Sequence, residues 1–187
     1  MKRICSVLAS LALLSVAAHA APSQRELARL DRLLAGVEHV PGADEIRRLG
    51  PGTDAALITY ASDARASRLR RLRAVAALRF VPSIAAHAFL DQLVAERAKA
   101  TDGADVLDLA AALGALIPYG HDALATELRY LTHASADVRQ AAAAALGQLH
   151  EPDARGALAA RLIAERDAGV HVAVERALHE LDRPAAR

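Results

Sequence analysis

The sequence predicts an all-α chain of stacked helix pairs, and three observations carry that prediction. An Ala-Leu pair recurs as Ala77-Leu78, Ala112-Leu113, Ala145-Leu146 and Ala177-Leu178, at spacings of 35, 33 and 32 residues. A period in this range marks a solenoid whose unit is one helix–turn–helix. Counted from each of those leucines as zero, position −4 is Ala74, Leu109, Ala142 and Val174, and position +3 is Val81, Leu116, Leu149 and Leu181. Positions −4, −1, 0 and +3 form the i, i+3, i+4, i+7 stripe of a helix that buries one face. Finally, no stretch alternates apolar and polar residues as a half-buried strand would. The alanine column at −1 adds that neighbouring helices approach closely, because a lone methyl group leaves the space for them. Each pair buries only part of its apolar surface, so its neighbours complete the core.

Taken in order, Ser23-Gln24-Arg25-Glu26 is a capping box that opens a helix carrying Leu27, Leu30, Leu33, Leu34 and Val37. That helix stops by Pro41-Gly42, and a short one over residues 43–49 ends at Gly50-Pro51-Gly52, giving an irregular first pair. Four complete pairs follow. Thr53 or Asp54 caps a helix through Ala61, broken at Ser62-Asp63, and residues 65–81 form its partner, ending at Pro82. Ser83 caps a helix to about Ala98, and its partner is 104–116. The third pair is 122–132 with 137–149 and the fourth is 153–165 with 169–181. Pro152 and Pro184 each stand three residues after Leu149 and Leu181, where proline ends one helix or starts the next.

The run Asp137-Val138-Arg139, followed by Ala141-Ala142 and Ala145-Leu146-Gly147, resembles the second helix of a HEAT repeat, close to the short phycobilisome-lyase type. Leu49-Gly50-Pro51-Gly52 leading into Ala55-Ala56-Leu57 resembles the join between two such units. The resemblance covers residues 43–184 and is strongest from Ala123 onward. Asp105-Val106-Leu107 departs from it by lacking the arginine. It implies a right-handed α-α superhelix of the armadillo type, with about four to five helix pairs and the second helices on the concave side. It also implies a protein-binding role, and for Arg139 a place in an internal ladder of hydrogen bonds to neighbouring helix ends.

The start of the chain reads as a secretory signal. Lys2 and Arg3 precede an apolar run, and Ala18-His19-Ala20 is a small-x-small cleavage site before Ala21. The run is short and rich in Ala and Ser, unlike a membrane span of about 20 strongly apolar residues. Residues 1–20 are therefore expected to be removed, leaving a repeat domain of residues 21–187 that starts at Ala21 and has no stable membrane anchor. Cys5 and Met1 are the only Cys and Met, so the mature domain has neither disulfides nor thiolate chemistry. Without Lys2 and Arg3 it carries 21 Lys+Arg against 22 Asp+Glu, a balance that suggests no nucleic-acid or bulk membrane-surface role. The chain has no Asn and hence no N-glycosylation sequon. Basic residues that are nearly all Arg and small ones that are nearly all Ala resemble GC-rich bacterial coding. The expected compartment is the periplasm or beyond.

Three groups of residues could carry function. Arg65, Arg68, Arg70, Arg71, Arg73 and Arg79 form one strongly basic segment, with Arg68, Arg71 and Arg79 the candidates to meet an acidic partner. The alternative for that segment is a solvated helix paired with Asp54, Asp63, Asp105 or Asp108. His171, Glu175 and His179 recur at i, i+4, i+8, but the two histidines are about 12 Å apart along a helix axis, too far for one metal ion. A polar cap on the last repeat explains them more simply. His87, His121, His133 and His150 lack HExxH-like spacing, GxSxG is absent, and so is any glycine-rich phosphate loop. No catalytic residue, metal or cofactor is assigned. The expected function is a non-catalytic binding module or scaffold that holds a protein or peptide on its concave surface. The alternative is an enzyme, or a small-ligand or metal-binding protein, with its site in the groove between second helices.

Overall fold

In the computed structural model the described residues, 23–36 and 39–183, form α-helices and two 3₁₀ turns without a strand. The expected leader, with Ala18 and Ala20, and the expected mature start Ala21 lie outside the described residues, as do Val37 and Pro184. Ten helices follow one another: α1 Gln24–Ala35, α2 Ala43–Arg47, α3 Thr53–Ser62, α4 Arg68–Ala77, α5 Ile84–Arg97, α6 Gly103–Leu116, α7 His121–Tyr130, α8 Ala136–Leu149, α9 Ala154–Ala164 and α10 Ala168–Asp182. The 3₁₀ turns, Leu78–Phe80 and Ile117–Tyr119, extend α4 and α6. None of these helices is long and apolar enough to cross a membrane.

The local rules act where the sequence places them, with three corrections. Ser23 and Glu26 form the capping box of α1, and Ser83 accepts from the Ala86 amide at the start of α5. Helix α1 ends at Ala35, well before Pro41, with its last carbonyls bound by arginine from α4. Gly52, not Thr53 or Asp54, caps α3: its φ of 82° is a left-handed conformation open to glycine, and the Thr53 hydroxyl instead donates back to the Gly50 carbonyl at 2.6 Å. Helix α4 starts at Arg68 rather than at Arg65, because the Asp63 carboxylate accepts both the Arg65 amide and its guanidinium and holds that segment as a turn.

The stripe read from the sequence is the buried face of the second helices. Ala77, Ala112, Ala145 and Ala177 are all buried, as are Leu78, Leu113 and Leu146, each of these leucines contributing about 1.5–3 kcal/mol. Helices α4, α6, α8 and α10 pack each on the next, whereas α3, α5, α7 and α9 meet one another much less. Helix α8 lies against α6, α7, α9 and α10, and its contact with α10 is the most extensive among the described residues. At the other end α1 rests on α3 and α4, and α2 on the turn after α4.

Close approach is visible at the two glycines that follow the key leucines. A Cβ at Gly147 would stand 2.7 Å from Ala177 Cα, whereas one at Gly114 would meet nothing within 4 Å. Alanine gains roughly 0.5–1 kcal/mol over glycine inside a helix, so Gly114→Ala is expected to stabilise the fold by about that amount. The same gain at Gly147 is outweighed, because the obstructing atom is backbone and cannot rotate away. Gly147→Ala is expected to cost a net 1–2 kcal/mol or so in urea denaturation. Equal effects of the two substitutions would contradict the helix spacing.

Candidate functional site

The arginine-rich segment serves the interior of the fold. Arg70 donates to the Asp31 carboxylate at 2.9 Å, beside the Tyr60 hydroxyl that donates to the same carboxylate, so α1, α3 and α4 meet at one polar point. Arg73 donates to the carbonyls of Leu34 and Gly36 at the end of α1. Of the three partner-binding candidates, Arg68 reaches the Ala104 carbonyl and Asp108 of α6, the latter at 3.1 Å. Arg71 donates to the Ala66 carbonyl at 2.6 Å and to that of Ala64, closing the turn before its own helix. Arg79 donates to Gln148 of α8 at 3.0 Å and lies over the Phe80 ring. Arg68 and Arg71 are thus committed to helix ends, and Arg79 alone of the three has its head on an exposed side chain.

Arg139 repeats the role of Arg71 two repeats further on. It donates to the carbonyls of His133 and Ala134, both at 2.9 Å, and holds the two oxygens of Glu165 at 2.9 and 3.0 Å. Arg161 stands 3.0 Å from the same carboxylate, whose side chain is only 2% exposed. The bidentate Arg139 contact, helped by the amides of Arg166 and Asp167, holds the Glu165 carboxyl down to about 2. Where the middle repeat has buried Val106 in place of that arginine, Arg97 of α5 supplies the charge, pairing with Asp105 at 3.0 Å. Asp137, in the first turn of α8, is exposed and favourably placed at the positive end of the helix dipole.

Glu127 is the opposite case. It is fully buried on α7 beside Ala123, Leu124 and Tyr130, and neither carboxyl oxygen has a hydrogen-bond partner. Burial pushes its carboxyl well above the usual range, because a charge there would have neither water nor a partner. The sequence reading passed over it because only the second helices were set in register. A helical wheel of residues 121–130 places Glu127 on the apolar side, which is the signal that could have found it. Glu165 was visible as a helix end but not as the acceptor of an arginine 26 residues earlier.

His171 and Glu175 are 3.6 Å apart and solvent-facing, and no group of three or more His, Cys, Asp or Glu among the described residues is placed to hold a metal ion. On the open face of the second helices, Leu107, Gln140 and Val172 each stand six residues before their key leucine, and all three are exposed, Leu107 by 49% and Val172 by 52%. Ala76 and Ala144 continue that face. The two most displaced carboxyls, Glu127 and Glu165, line none of the five principal clefts of the described surface. Comparison of the chain with family models, with characterised proteins and with solved structures gives no match.

The two carboxyls predict opposite pH dependences. Glu165 is depressed from 4.5, so its contribution is present above that value and is lost as pH falls toward 2. Glu127 is raised, so its contribution is complete below 4.5 and is lost as pH rises toward its folded value. Glu165→Gln is expected to cost about 3 kcal/mol at pH 7 and to flatten the acid limb of stability. Glu127→Leu is expected to stabilise by about 1–3 kcal/mol at pH 7, by removing an unpaired buried polar group. Urea denaturation of both variants between about pH 3 and pH 9 checks the signs; an unchanged acid limb for Glu165→Gln would contradict the assignment.

Proposed function

We propose that this chain is an exported, non-catalytic protein-binding module, a HEAT-like α-solenoid curved into a right-handed superhelix. Its second helices line the concave side and take a protein or peptide. The closer packing among α4, α6, α8 and α10 than among α3, α5, α7 and α9 supports that curvature, because helices crowded on one side and spread on the other bend a stack toward the crowded side. The leader and its Ala18-His19-Ala20 site support export to the periplasm or beyond, with Ala21 as the mature start.

The observation that carries the binding role is the row of Leu107, Gln140 and Val172. Leu107 and Val172 leave large apolar side chains in water at one register on α6 and α10, on either side of the exposed Gln140 of α8, so the exposure is aligned rather than scattered. Arg79, bonded to Gln148 at the edge of this face, can exchange that neutral acceptor for a carboxylate of the partner. Arg68 and Arg71 keep their positions at helix ends in this reading. That the most displaced carboxyls are held inside the fold, away from the clefts, favours binding over catalysis.

The test is affinity capture from a periplasmic fraction with wild-type protein and with a Leu107→Glu, Val172→Glu double variant, followed by mass spectrometry. A partner recovered about tenfold better by the wild type, at equal helicity, is the expected result. Equal recovery by both proteins would remove the strip from the proposal.

A further inference from the structure

Most arginines among the described residues are occupied by a carboxylate or a carbonyl, and three of those that are not, Arg25, Arg29 and Arg48, stand together at one place. Arg25, Arg29 and Arg32 follow i, i+4, i+7 spacing along one side of α1, and Arg48 faces them from the end of α2. Arg25, Arg29 and Arg48 make no side-chain hydrogen bond or ion pair among the described residues, and Arg32 donates only to the Ala28 carbonyl of its own helix. Elsewhere the unpaired cations Lys99, Arg129, Arg166 and Arg176 stand singly on different elements.

These four arginines rim a groove with an apolar floor. Its inner part is a cleft of about 160 Å³ between α1 and the start of α3, floored by Leu30, Leu49, Pro51 and Ala56, with Arg25 and Arg29 at the mouth. It opens past Leu49 into a shallower trough between Arg29, Arg32 and Arg48. Two acids also stand on the rim, but both are engaged: Glu26 accepts the Ser23 amide at 2.6 Å, and Glu45 accepts the Gly42 amide at 3.0 Å and meets His39. Hydrogen bonding holds both carboxyls below their usual range, so they stay charged and the rim keeps a net excess of two positive charges.

We propose that this groove is a docking site for an acidic peptide segment with one apolar anchor, separate from the strip on the second helices. The cleft is smaller than the roughly 300–1,000 Å³ of small-molecule pockets and takes a single apolar side chain. The arginines on both sides then meet carboxylates flanking that anchor, in the bidentate geometry that guanidinium favours. Charge selects the occupant. The leader of this chain is apolar enough for the floor, but it carries Lys2 and Arg3 and no acid, so the rim repels it.

The probe is a short fluorescein-labelled peptide with glutamates on both sides of a central leucine, followed by fluorescence anisotropy. A copy with lysines for glutamates serves as control, and vesicles of phosphatidylglycerol in phosphatidylcholine test a membrane surface instead. The glutamate peptide is expected to bind at low salt and to weaken as salt is raised, with the lysine copy not binding. Arg29→Gln with Arg48→Gln, and separately Arg25→Gln with Arg32→Gln, are each expected to weaken binding about tenfold at unchanged circular dichroism. Arg166→Gln, on the loop before α10, is expected to leave binding unchanged. Equal binding of the two peptides, indifference to both double variants, or binding to anionic vesicles without binding to the peptide would each overturn the proposal.

Discussion

Helices α8 and α10 come near enough that only a hydrogen atom fits between their backbones at one point, and the most extensive contact of the described fold depends on that. At the contact between α8 and α10, Gly147 faces the backbone of Ala177, and a single added carbon would collide. The alanine column at Ala77, Ala112, Ala145 and Ala177 serves the same close packing along the chain, and all four are buried. Small residues contribute little apolar area by themselves. The larger side chains of the stripe therefore supply the burial energy, and the alanines and glycine set the distance at which it is collected.

Close packing leaves a second problem, the exposed carbonyls where one helix ends and the next begins, and here arginine supplies the donors. Arg71 and Arg139 each turn back onto the loop before their own helix, and Arg73 reaches the end of α1. Arg139 also joins its repeat to the following one through Glu165, so a single guanidinium binds two carbonyls and a nearly buried carboxylate. A lysine could not span that set, since its ammonium is a point charge without the planar fork. Of the arginines that carry no such task, Arg25, Arg29 and Arg48 lie together on α1 and at the end of α2, where the register is least regular, and Arg129, Arg166 and Arg176 stand singly.

What the sequence made legible is what repeats. The alanine and leucine columns identify the buried face of four helices without reference to any contact, because a period of one repeat superimposes the same environment again and again. The places where the reading slipped are places where one side chain acts alone. Asp63 bends Arg65 out of α4, and Gly52 replaces threonine as a cap through a left-handed turn. Glu127 occupies a core position that no periodic rule would fill with a carboxylate. Arginine-rich composition left Arg68, Arg71 and Arg79 open either to an acidic partner or to pairing with Asp54, Asp63, Asp105 or Asp108, and Arg68 does pair with Asp108. Composition does not register that a carbonyl, which every residue owns, can occupy a guanidinium as well as an acid can. Their partners lie as many as 69 residues away in sequence, beyond any local pattern.

If the fold is held by its second helices, with α8 in the most extensive contact, protection from exchange should follow the extent of packing. Native-state hydrogen exchange, read amide by amide, tests this most directly, because segments with few buried contacts open at lower free energy than densely packed ones. The amides of Ala142, Ala143, Leu146 and Gly147 are predicted to exchange slowest, at the rate set by global unfolding. Those of α1 and α9 should exchange faster, through partial opening. Protection in α9 equal to that in α8, or α8 exchanging ahead of α6 and α10, would contradict the account.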